Sequence, residues 1–340
     1  MSKYNHRIHF SLRSTRSALL TLLLLPTIVS RAQAPSPPST DATSRSVQAA
    51  PVRIENVVSV VGLEGKPGGV GYLALDEKAV ILNIHGDSTT IPLGSILAFS
   101  VVHDDESLIK GIKGQFAEAV PYGVGVLIKS IRPSTDVLTV FYKDAEHAVR
   151  GCVLILPKDT GQGVAAGLAS AGLSPTDYPV PGALTTSETK RESEVHVSPL
   201  PTRDKPSIEV ALPSESVGGI PPAFVAAAFE DLIKQFSQSE RFAHVFRVGD
   251  IHTAPDTQIL HVNIENWKKG SARKRGLVPF TGATILKTRV TLVNASGRTV
   301  FQGEVDGTKR TEGESLAVAD NLAKHVRKAV ETTPDLQSKK

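Results

Sequence analysis

The sequence predicts an α+β chain in two parts: a β-rich barrel or sheet closed by one C-terminal helix, then an α/β domain with two helices packed on a mainly antiparallel sheet. Three observations predict it. Residues 52–173 break into short apolar runs separated by turn residues, with one helical stretch at the end. Residues 207–333 have another order: strand, helix, several strands, helix. Residues 33–51 and 174–206 are rich in Pro, Ser and Thr and hold too little apolar surface to offset the entropy of ordering, so they read as linkers.

In the first part the expected strands are Val57–Val61, Gly71–Leu75, Ala79–Ile84, Thr89–Val102, Gly123–Ile131, Val137–Tyr142 and Ala148–Leu156, with Gly86-Asp87 and Pro133-Ser134 among the turns. Asp159 or Thr160 caps a helix over Gly161–Ala171, and Gly172 stops it. In the second part the order is a strand at Ser207–Leu212, then a helix from Pro221 or Pro222 to Gln238. Strands follow at Ala243–Val248, Gln258–Trp267, Ala283–Val293 and Thr299–Asp306, and a helix from about Glu314 to Thr332 ends the set. The first of these helices places Phe224, Ala227, Ala228, Leu232, Ile233 and Phe236 on one stripe, with Glu230, Asp231 and Lys234 opposite. A sheet is expected to cover that stripe. Ile285, Thr288, Val290 and Leu292 mix with Lys287, Arg289 and Thr291 in period two, so the sheet is expected to show one face to water.

The N-terminus carries Lys3, Arg7, Arg13 and Arg16 ahead of an apolar run, Ala18–Val29, that is too short to span a bilayer. This is the pattern of a secretory signal peptide over residues 1–32, and it implies a periplasmic or secreted protein. Cleavage is expected after Ala32, because cutting after Ala34 would put Pro35 beside the scissile bond. No cysteine follows the run, so no lipid anchor is expected. The formal net charge of +4 owes much to this segment: residues 1–32 hold five Lys and Arg and no acid, which leaves 33 basic residues against 34 acidic ones. A near-neutral remainder gives no global basic field for nucleic acid.

Cys152 is the only cysteine, which excludes an intramolecular disulfide and a cysteine-based zinc site. Its apolar setting reads as that of a buried structural thiol. Gly161-Gln-Gly163-Val-Ala-Ala-Gly167 opens a helix after a strand, but its spacing is wrong for a dinucleotide fingerprint, and close helix packing is expected instead. Gly68-Gly-Val-Gly71 lacks the Lys and Ser/Thr of a phosphate loop and reads as a turn. His103-Asp-Asp-Glu106 has ligand types for a divalent ion, yet adjacent side chains on extended chain diverge, so it reads as a solvated turn. His244, His252 and His261 show no metal-ligand spacing, and no G-x-S-x-G elbow is present. The most suggestive functional run is Lys268, Lys269, Arg273, Lys274 and Arg275, followed by the apolar Gly276-Leu-Val-Pro-Phe280. These cations suit an anionic surface, at about 1 kcal/mol each beside charged lipid. A solvated connection between strands accounts for the same charges.

The phrases Gly71-Tyr-Leu-Ala-Leu-Asp-Glu-Lys-Ala-Val-Ile-Leu and Ile91-Pro-Leu-Gly-Ser-Ile, followed by the terminal helix, resemble the GRAM-type variant of the pleckstrin-homology-like barrel over roughly residues 55–172. In the second part the phrases are Phe242-Ala-His-Val-Phe246, Ile259-Leu-His-Val-Asn-Ile-Glu-Asn266 and Thr288 to Phe301. They resemble a family of bacterial envelope domains related to the auxiliary lipoproteins of ABC-type transport and to the N-terminal domain of TolB. The resemblance carries no catalytic residue. Together these readings imply an exported, non-enzymatic binding or assembly module without cofactor, its partner an envelope protein, a glycan or an anionic membrane surface. The alternatives are a hydrolase assembled from distant residues near His103, or a carrier of lipid or small ligand in the first part.

Overall fold

The computed structural model describes residues 52–63, 67–104, 135–179, 205–252, 254–268, 283–309 and 316–333. The expected signal peptide, the first linker and the expected strand Gly123–Ile131 lie outside the described residues. The chain is a β-rich α+β structure. Its first sheet holds β1 (Val52–Val61), β2 (Val70–Leu75), β3 (Ala79–Ile84), β4 (Asp87–Pro92), β5 (Ile96–Asp104), β6 (Thr135–Lys143) and β7 (Val149–Leu156). They run antiparallel in the order β4-β3-β2-β1-β7-β6-β5. Helix α1 (Gly161–Ser170) follows.

The expected strand Thr89–Val102 is two strands, β4 and β5. Pro92 has no N–H to continue a ladder, and Leu93–Ser95 forms a 3-10 turn that redirects the chain. Strand β1 begins at Val52, five residues before the expected start, and breaks register near Asn56, whose φ is +59°.

The second sheet holds β8 (Ser207–Val210), β9 (Ser214–Glu215), β10 (Val245–Arg247), β11 (Thr257–Lys268), β12 (Thr284–Val293) and β13 (Thr299–Lys309). Its order is β10-β8-β11-β12-β13, with β9 also on β11. The sheet is mixed. The long β11-β12-β13 meander is antiparallel, whereas β8 lies parallel to both β10 and β11, and β9 lies parallel to β11. Helices α2 (Pro222–Ser237) and α3 (Ala317–Glu331) pack on one face of it. Proline at the start of α2 is suited to a position whose N–H has no helical partner.

Two cores result. One lies inside the first sheet, filled by Leu73, Leu82, Ile91, Phe99, Leu138 and Leu154 and closed by Val164 and Leu168 of α1. The other is shared by both halves of the chain: Val58, Val137, Phe141, Val149, Val153 and Ile155, on the opposite face of the first sheet, meet Phe224, Val225, Ala226 and Phe229 of α2. Helix α2 therefore lies between two sheets. The expected single apolar stripe is corrected, since Val225, Ala226 and Phe229 are fully buried on a second face. A helix apolar nearly all round, as Ala223 to Phe229 is, belongs inside a structure. The continuous apolar character of β6 and β7 has the same cause, because both of their faces are covered.

Candidate functional site

Three polar arrangements stand out. The first joins the halves. Glu230 leaves α2 toward β10 and β7 and accepts two guanidinium hydrogen bonds from Arg247, at 2.7 Å (Nη1 to Oε1) and 2.6 Å (Nη2 to Oε2). Its Oε1 also accepts the Gly151 N–H of β7 at 2.9 Å. Both side chains are buried, 10% and 13% exposed, so this is a desolvated bidentate pair rather than the solvated charge expected of Glu230. Arg247 Nη1 also lies 3.4 Å from the Val149 carbonyl, and Val149 N–H donates to the Val248 carbonyl at 3.0 Å. Gly151 permits the approach, since a Cβ there would stand 3.1 Å from that of Ala226. Cys152 follows, wholly buried; burial first, and then the Glu230 charge, push its thiol up to about 12. A thiol so placed has no nucleophilic character at neutral pH.

The second arrangement anchors α1. Asp136, 6% exposed, pairs with His103 across β5 and β6, its Oδ1 2.7 Å from His103 Nδ1. Its Oδ2 accepts the Gly161 N–H at 2.7 Å, at the open N-terminal end of α1, where a carboxylate is favoured. Glycine is needed at 161 because a Cβ there would lie 2.5 Å from Val101 Cγ1 and 2.9 Å from Asp136 Cβ. His103 is thus part of a structural joint and not the solvated turn expected; the side chain of Asp104 and the residues Asp105 and Glu106 lie outside the described set. Among the described residues, no group of three or more His, Cys, Asp or Glu is placed to hold a metal ion.

The third is the face of the second sheet turned away from α2 and α3. Leu260, Val262, Ile264, Leu286 and Val290 point to the helices, so the residues between them point outward. Arg289 lies at the centre of this face, 2.7 Å from Glu265 and 3.9 Å from Glu304 across neighbouring strands. Lys287 and His261 are exposed beside it, and Asn263 bonds Ser214 and Ser216. At the β10 edge His252 stacks on Phe246, ring centroids 3.8 Å apart, with Nε2 3.4 Å from Glu209. His244 lies 6.0 Å from the other partner of that stack, Phe246, and its Nε2 is buried without a hydrogen-bond partner among the described residues.

Of the five candidate cations, Lys268 ends β11 and is exposed; Lys269, Arg273, Lys274 and Arg275 lie outside the described residues. Sequence reasoning missed Arg247 and Asp136 altogether. The available signals were an acid in an otherwise apolar strand and a Glu-bearing helix with too few polar positions for a surface.

Among the described residues no helix is long and apolar enough to cross a membrane. No family model matches the chain, and no curated protein matches it. Several solved structures are similar to parts of it. The PelC dodecamer from Paraburkholderia phytofirmans shares 16% identity over 38% of this chain and 92% of its own, at a TM-score of 0.24. The hypothetical protein CT253 from Chlamydia trachomatis shares 9% over 38% and 98%, at 0.27. A neuraminyllactose-binding hemagglutinin homolog from Helicobacter pylori shares 15% over 42% and 90%, at 0.23. At these scores the likenesses carry no assignment.

Proposed function

We propose that this chain is an exported, non-enzymatic accessory of the cell envelope that binds a protein partner across the outward face of its second sheet. The observation that carries the reading is the exposed polar ladder of His261, Lys287, Arg289 and Glu304 on a sheet whose other face is fixed to two helices. A face held rigid by a core loses little entropy on binding, and alternating charges select a complementary polar surface. The order of seven antiparallel strands followed by α1 supports the pleckstrin-homology-like reading of the first part. The order β8, α2, meander, α3 supports the relation of the second part to the envelope-domain family.

The test places a photo-crosslinking residue at His261, on the sheet face, or at exposed Lys328, on α3. Adducts with a native envelope preparation are expected at 261 and not at 328, and Arg289→Glu is expected to remove them. Equal adducts at both positions overturn the reading. Binding to anionic vesicles that is lost on charge reversal of Lys268, Lys269, Arg273, Lys274 and Arg275 assigns the partner to a membrane instead.

A further inference from the structure

The crossing of α2 and α3 holds an acidic pair that no part of the proposed binding face uses. Gln235 Nε2 reaches from α2 to Asp320 Oδ1 of α3 at 3.3 Å, which fixes the stripe of α2 that faces α3. Asp231 lies one turn before Gln235 on that stripe. The two acids are differently placed. Asp320 is in the first turn of α3, where the helix dipole favours negative charge, and Lys324 one turn on is 2.7 Å from its Oδ2. Asp231 has no such partner among the hydrogen bonds and ion pairs described above, and it sits half-buried in the middle of a helix.

We propose that the Asp231–Asp320 pair is a proton-sensitive joint: proton uptake at Asp231 tightens the α2–α3 crossing and proton loss loosens it. The charged groups acting on Asp231 are Asp320 and Lys324 from α3, and Lys234 and Glu230 from α2 itself, with Glu230 already bound to Arg247 of β10. One turn further along α3, Arg327 Nη1 donates to the Gln235 carbonyl at 3.2 Å and closes the same joint. Burial first, and then the Asp320 charge, raise the Asp231 carboxyl from 3.8 to about 7. A carboxyl raised on folding contributes stability that is complete below the unfolded value and is lost as pH rises through the folded one. The window is therefore between about pH 4 and pH 7. Because α2 lies between both sheets, the loosening acts on the element common to them.

The experiment is equilibrium urea unfolding of the full chain at pH 5, 6, 7 and 8, wild type against Asp231→Asn, which imitates the protonated carboxyl. Between pH 5 and 8 the unfolding constant of the wild type is expected to rise about 10- to 100-fold relative to the variant. Asp320→Asn, which removes the like charge, is expected to move the midpoint of that loss to lower pH. Parallel curves for wild type and Asp231→Asn overturn the proposal. Carbon-13 titration of the Asp231 carboxyl in the wild type keeps it testable if the variant does not fold: a midpoint near neutrality supports it, and one below pH 5 overturns it.

Discussion

Replacing Glu230 by Gln removes the charge that holds Arg247, and the structure sets the size of the effect. Arg247 is 13% exposed, so after the substitution a guanidinium stays desolvated with only a neutral amide and the 3.4 Å Val149 carbonyl beside it. Breaking a buried pair from one side costs about 3–5 kcal/mol, and a poorly met Gly151 N–H lies within that figure rather than on top of it. At about 2–4 °C per kcal/mol, the midpoint of thermal unfolding is expected to fall by roughly 10 °C. Removing both partners with Glu230→Leu and Arg247→Met is expected to cost less than Glu230→Gln alone, because no uncompensated charge remains. Trp267 is the only tryptophan and lies 4.5 Å from Phe224 of α2, so its fluorescence reports on the second sheet while circular dichroism reports on both. The two signals are expected to move together in every variant. A loss below about 1 kcal/mol, or a double variant worse than the single one, refutes the argument that this pair is desolvated and couples the halves.

Two further expectations follow from the same geometry. Cys152 is expected to stay unmodified by a thiol reagent at neutral pH in the folded protein and to react at once in urea; rapid native labelling would contradict its burial. Asp136→Asn is expected to cost about 1–3 kcal/mol through the weakened bond at the start of α1, read as faster amide exchange over Gly161–Ser170 than over β6; uniform exchange across both would show that α1 is held by other contacts.

Much of the fold is legible in the residues themselves. The hairpin β12–β13 turns where Asn294 and Gly297 predict it, with Gly297 at φ +79° and Asn294 Oδ1 accepting the Ser296 and Arg298 N–H groups. The strands β2 and β3 begin within a residue of their expected starts, because alternation on a half-buried pair reads directly from sequence. What escaped depends on partners far along the chain. Nothing near residue 225 states that the second face of α2 meets strands whose sequence ended near residue 156, although seven consecutive apolar residues from Ala223 were a sign of cover on two sides. Asp136 looks like an interruption in a strand until a helix N-terminus about 25 residues later is placed over it. Strand β9 has two residues and no periodicity to detect.

The position of α2 between the two sheets also imposes a schedule on synthesis. Strands β1, β6 and β7 leave the ribosome well before the helix that covers their outer face, since β7 ends at Leu156 and α2 ends at Ser237. At about 5–20 residues per second the intervening stretch takes on the order of 4–16 s. For that interval Val58, Val137, Phe141, Val149, Val153 and Ile155 form an apolar surface without its natural lid, at a stage when neighbouring chains compete to cover it.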